Sequence, residues 1–178
     1  MKTLKLIIAL MPMLLLGISR CKKGEMGTRM LVNMTDAPGN YQSVFIDLQK
    51  VMIHYENAPE SKWIELRAHP GIYDLLTLQN NATAFIAEEE ALPIGKVSQM
   101  RLELGNNNSV VTKEGGKYNL TIPSSATSGL KINMHQTMNI NRTVTVLLDF
   151  DAESSVKVNG NGEYSLEPVI KVKQVMTN

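Results

Sequence analysis

The feature that most constrains this chain is the repeated two-residue alternation of apolar side chains over most of its length. Met100, Leu102 and Leu104 alternate with Gln99, Arg101 and Glu103, the pattern of a strand with one face on a core and the other in water. Val44, Ile46 and Leu48 do the same, and the alternation resumes one position out of phase as Val51, Ile53 and Tyr55, so a β-bulge is predicted near Gln49 and Lys50. Further faces are Tyr118, Leu120 and Ile122; Leu130, Ile132 and Met134; and Val144, Val146, Leu148 and Phe150. Glu114-Gly115-Gly116-Lys117 joins Ser109-Val110-Val111-Thr112 to the Tyr118 segment as a tight hairpin, because paired glycines permit positive φ. A last strand is expected from Tyr164 to about Val175, entered through Asn159-Gly160-Asn161-Gly162, with Pro168 marking a sheet edge or a bulge.

Strands at spacings of about ten residues with turn signals between them predict an all-β, antiparallel sandwich. Helix is expected only as short turns, at Tyr73 to Gln79 and at Ala82 to Ala91, where Ala and Glu are helix-compatible. The expected core contains Ile46, Leu48, Met100, Leu102, Leu104, Leu120, Ile132, Val146, Leu148 and Phe150. Trp63, the only tryptophan of the chain, is also expected to be buried there, and the competing reading is an exposed ring that stacks on a sugar.

The N-terminus reads as a leader. Lys2 and Lys5 precede an apolar run from Leu6 to Ile18, shorter than the roughly 20 residues a helix needs to span a bilayer. The only cysteine, Cys21, follows directly. This placement resembles a bacterial lipoprotein signal, with Arg20 where such signals usually carry a small residue. The expected organisation is a signal peptide over 1–20, a tether over 21–28 beginning at a lipidated Cys21, and one β-sandwich domain over 29–178. Several acyl chains, at about 0.8 kcal/mol per buried CH₂, would anchor the domain to a membrane of the bacterial envelope, with the outer membrane the expected location.

Composition excludes some functions. Eighteen Lys and Arg against 17 Asp and Glu leave a formal charge of +1, too small a field to attract nucleic acid. A single cysteine excludes a disulfide within the chain.

Val32-Asn33-Met34-Thr35-Asp36-Ala37-Pro38-Gly39, Tyr73-Asp74-Leu75-Leu76, Leu92-Pro93-Ile94-Gly95, Gln99-Met100-Arg101-Leu102, Leu148-Asp149-Phe150-Asp151-Ala152 and Leu166-Glu167-Pro168-Val169-Ile170 occur in an order that resembles the domain of unknown function 4382 family. Pro123-Ser124 and Ser128-Gly129-Leu130-Lys131 extend the match. The resemblance implies a β-sandwich of prealbumin-like or carbohydrate-binding-like type, on secreted bacterial proteins that are often lipoproteins. It implies no activity.

Candidate chemistry is sparse. Asp149, Asp151 and Glu153 alternate, so a continuing strand would project all three from one face, where hard oxygen ligands could hold Ca²⁺, with Asp36 and Asp47 joining if the fold brings them near. The competing reading has Asp149 or Asp151 accepting backbone amides of the Ser154-Ser155 turn, and Asp36 serving the turn at Pro38 and Gly39. No cofactor is required by the sequence, and calcium is the one candidate. His54, His69 and His135 lack zinc-ligand spacing and are expected on the surface. No catalytic residue stands out. Two functional classes follow: a noncatalytic binding or structural module on the envelope that contacts a glycan or another envelope protein, and an extracellular hydrolase acting on polysaccharide or another polymer.

Overall fold

The computed structural model describes residues 27–59, 62–123 and 129–178. The leader and Cys21, with most of the expected tether, lie outside these residues. The fold begins with β1 (Thr28–Asp36), whose Met30, Val32 and Met34 face inward, followed by the 13-residue β2 (Ser43–Tyr55). Short strands β3 (Ile64–Glu65), β4 (Arg67–Ala68) and β5 (Gly71–Asp74) lead into a 3₁₀ turn over Leu75–Leu78. Then come β6 (Ala84–Leu92), β7 (Gly95–Leu104), β8 (Ser109–Val111), β9 (Lys117–Asn119), β10 (Leu130–Met138) and β11 (Thr143–Asp151). A single helical turn, α1 (Ala152–Ser155), precedes β12 (Val156–Val158), β13 (Tyr164–Leu166) and β14 (Val169–Thr177).

Two sheets enclose one aliphatic core. The five-stranded sheet has the order β14-β11-β1-β6-β4, and the seven-stranded sheet has the path β10-β7-β2-β8-β9, with β3 and β5 also paired to β2. Strands β12 and β13 form a separate hairpin. Fully buried Ile46, Leu48, Met100, Leu102, Val146, Leu148 and Phe150 meet between the sheets as predicted, and Leu120 and Ile132 join them, while Leu104 is half-buried. Burying a side chain of this size stabilises by about 1.5–3 kcal/mol relative to exposure, so this shared interior is the main cohesive term.

The bulge in β2 falls where the phase break placed it, with the register against β7 shifting between Leu48 and Lys50. The β8–β9 hairpin forms across Gly115, which has φ of 86° and donates its N–H to Thr112 O.

The structure corrects other expectations. Ala84–Leu92 is a strand rather than helix, because pairing with β1 on one side and β4 on the other supplies long-range hydrogen bonds and burial that override a weak local helix preference. The sandwich is antiparallel except at its centre, where β1 and β11 run parallel in register from Arg29↔Thr143 to Asp36↔Phe150. The final strand is interrupted at Glu167 and Pro168, so β13 pairs with β12 and only β14 joins the main sheet, as its edge. No helix among the described residues is long and apolar enough to cross a membrane.

Candidate functional site

The acidic residues proposed from sequence do not converge on one ligand site. The strand ends at Asp151, whose carboxylate accepts hydrogen bonds from Ser154 N–H at 2.8 Å and from the Ser154 hydroxyl at 2.8 Å, capping α1. The helical turn therefore breaks the alternation that would have aligned Glu153 with Asp149 and Asp151, and Glu153 instead accepts from Asn40 N–H. Asp149 stays on the outer face of β11 but is only 4% exposed, covered by Lys171 at 3.1 Å and Lys173 at 3.7 Å from the neighbouring β14. Asp36, 3% exposed, accepts from Ala152 N–H at 2.9 Å and Gln79 Nε2 at 3.1 Å, tying the end of β1 to α1 and to the 3₁₀ turn rather than serving its own turn. Burial pushes the Asp36 carboxyl up to about 6, against the pull of those two hydrogen bonds, and the charges of Asp151 and Asp149 add to the rise. Asp47 is elsewhere, beneath the β7–β8 loop, where it accepts from the Asn107 backbone and side chain. Among the described residues, no group of three or more His, Cys, Asp or Glu is placed to hold a metal ion.

The outer face of the seven-stranded sheet is different. Strand register aligns His54, Gln99 and Asn133 in one row across β2, β7 and β10, and Met52, Arg101 and Lys131 in the next. Trp63, from the segment leading into β3, lies half-buried on this face and not in the core, which corrects the expected burial. The Arg101 guanidinium sits 3.9 Å from its ring centroid, and the His54 ring packs against it at 5.2 Å with a 50° tilt. A cation held over an indole is worth about 0.5–1 kcal/mol at an exposed site and more when desolvated.

His54 supports this arrangement from below. It is buried, contrary to the surface position expected for it. Its Nε2 lies 2.9 Å from Pro59 O, an acceptor only, so Nε2 carries the proton and donates there. Nδ1 is 3.3 Å from the Ser98 hydroxyl, which also lies 3.1 Å from His54 O and has one proton to share between them. The ring thereby fastens the segment before Trp63 to β7. Beside Trp63 is an open depression of about 310 Å³, lined by His54, Gln99, Lys131, Asn133 and His135 among others. Among the described residues its one acidic lining residue is Glu56, which faces Lys96 at 3.6 Å. Among the described residues the site thus combines an aromatic surface, amides that both donate and accept, and the cations Arg101, Lys131 and Lys96 against the single acid Glu56.

The outward positions of β7 and β10 were readable in the sequence as the polar half of an alternation. Their assembly with Trp63 was not, because it depends on a register between strands far apart in the chain.

The architecture is that of an all-β sandwich domain presenting a side-chain surface on one sheet. The model of the Domain of unknown function (DUF4382) family matches residues 27–168, and the chain belongs to that family. No curated protein and no solved structure matches it.

Proposed function

We propose that this protein is a noncatalytic binding module, held on the bacterial cell envelope through a lipidated Cys21, that recognises an acidic glycan on the outer face of its seven-stranded sheet. The observation that carries the reading is Trp63 fixed against that face by Arg101 and His54, beside a depression lined by Gln99, Asn133, Lys131 and His135. An indole offers a flat apolar surface to sugar C–H groups, carboxamides match hydroxyls that both donate and accept, and the basic excess favours a ring bearing a carboxylate or sulfate. The structural employment of Asp36, Asp47, Asp149 and Asp151 supports a binding role over acid–base hydrolysis.

Affinity electrophoresis of the full-length protein through gels containing polygalacturonate or hyaluronate tests the site. Retardation is expected for the wild type and should be lost in Trp63→Ala and reduced in Lys131→Ala. Equal migration of all three refutes the site, and release of new reducing ends from either polymer would make the protein a hydrolase. The anchor is tested separately: Cys21→Ser should lose acyl labelling and leave the membrane fraction, and retention of both properties would contradict lipidation.

A further inference from the structure

A second polar surface lies at the end of the sandwich built by the β7–β8 loop and the β8–β9 and β12–β13 hairpins. Two open depressions, of about 580 Å³ and about 460 Å³, share Lys117, Asn119 and Thr121 as lining residues and so adjoin as the two halves of a groove. The two hairpins are joined there, with Leu166 N–H donating to Thr121 O at 2.9 Å. Among the described residues, none that lines this groove lines the Trp63 depression.

The loop on one side is held by a buried polar network. Asp47, 4% exposed, accepts from Asn107 N–H at 3.1 Å, from Asn107 Nδ2 at 3.0 Å and from Gln49 Nε2. Asn108, 2% exposed, accepts from Asp47 N–H at 2.8 Å and donates to Gly105 O at 2.7 Å, while its carbonyl accepts from Leu120 N–H at 2.9 Å. Gly105 packs so closely on the Asp47 carboxylate that a Cβ there would overlap it. Reversing the chain needs only a tight turn of two residues or so. Desolvating a carboxylate and a carboxamide to fix the loop is the kind of support that a preformed binding surface requires.

The exposed side of the groove has its own chemistry. Tyr118 and Tyr164 stack at 4.4 Å with 25° between their planes, placing two aromatic rings in one of the depressions. Asn106, Asn119, Ser165 and Thr121 supply neutral donors and acceptors. Among the described residues the charged lining residues are Lys117 and Glu163, one of each sign, and Glu163 already accepts from Asn159 Nδ2 at 2.8 Å. We infer that this groove binds a linear, uncharged oligosaccharide: hydroxyl groups satisfy the amides, C–H faces meet the tyrosines, and two adjoining open depressions give successive sugar units a place each. The Trp63 face, with its basic excess, selects differently.

Isothermal titration of the full-length protein in detergent with cellohexaose, maltohexaose, laminarihexaose, mannohexaose and xylohexaose tests the inference, with hexagalacturonate as the charged comparison. At least one neutral hexaose should bind, its affinity should fall tenfold or more in both Tyr118→Ala and Asn119→Ala, and it should stay within twofold in Trp63→Ala. The two groove variants report independently, and each is checked by its thermal melt. Failure of all five neutral sugars to bind, wild-type affinity in the groove variants, or loss of neutral binding in Trp63→Ala would each overturn it. Hexagalacturonate binding that depends on Trp63 would meanwhile leave the first site intact, so the two readings fail separately.

Discussion

The two sheets share one core, yet their outer faces are built on different terms. On the five-stranded sheet, charges answer one another: Arg29 meets Glu88 at 2.6 Å, and Lys171 and Lys173 close over Asp149. On the seven-stranded sheet around Trp63, the outward rows carry His54, Gln99, Asn133, Arg101 and Lys131, with the guanidinium spent on an indole instead of a carboxylate. Both faces are the polar half of the same alternation. The first uses that half to shield an acid within the fold, and the second leaves basic and amide groups facing a depression, which is why the binding reading rests there.

The largest expected effect concerns what the faces have in common. Phe150 is fully buried beside Asp149, on the opposite side of β11. Phe150→Ala should cost about 3–5 kcal/mol in urea unfolding. A loss below about 0.5 kcal/mol would mean that the inner and outer faces of β11 have been exchanged.

Next is the pH response of the closed sheet's end. The folded-state carboxyl of Asp36 is raised to about 6, above its ordinary value of 3.8. Between those values the folded state binds more protons than the unfolded one, so this group's contribution to stability is fullest below about pH 4 and is lost as pH rises through about 6. The loss is on the order of 3 kcal/mol at most, and solvent screening lowers it. Asp36→Asn should remove that fall, as measured by the difference between wild-type and variant unfolding free energies across this window. A constant difference would contradict the raised value.

A direct contrast of the two faces comes from removing one charge on each. Asp149→Ala leaves Lys171 and Lys173 side by side without their acid, but both lysines reach solvent. That limits the expected cost to about 1 kcal/mol. Lys131→Ala should change stability by less than about 0.5 kcal/mol while weakening polyanion binding. If Lys131 proved the more important for folding, the distinction between a closed and an open face would collapse. Smallest is the coupling between Trp63 and Arg101, expected at about 0.5–1 kcal/mol in a double-mutant cycle. A coupling of zero would remove the cation from the account of how the indole is held.

What could be read from the sequence was local. The inward residues of β2, β7, β10 and β11, the bulge at Lys50 and the Gly115 hairpin all follow from a two-residue period and from glycine's backbone freedom. What escaped depends on distant neighbours. The parallel β1–β11 pairing and the strand at Ala84–Leu92 are decided by partners dozens of residues away. The acidic alternation looked like a ligand set only on the premise that β11 continued past Asp151, whereas Asp151 starts a helical turn. A lone large ring usually packs inside, which is why the sequence by itself predicts burial for Trp63. Its half-buried place on an outer face depends on Arg101 and His54, which only strand register brings beneath it.

Because Trp63 is the only tryptophan, its fluorescence reports on the central claim without a label. Titrating the full-length protein with hexagalacturonate should change Trp63 emission saturably, with an affinity that weakens as salt screens the basic groups. Emission that stays constant while calorimetry on the same sample shows the sugar binding would place the acidic-glycan site somewhere other than the Trp63 face.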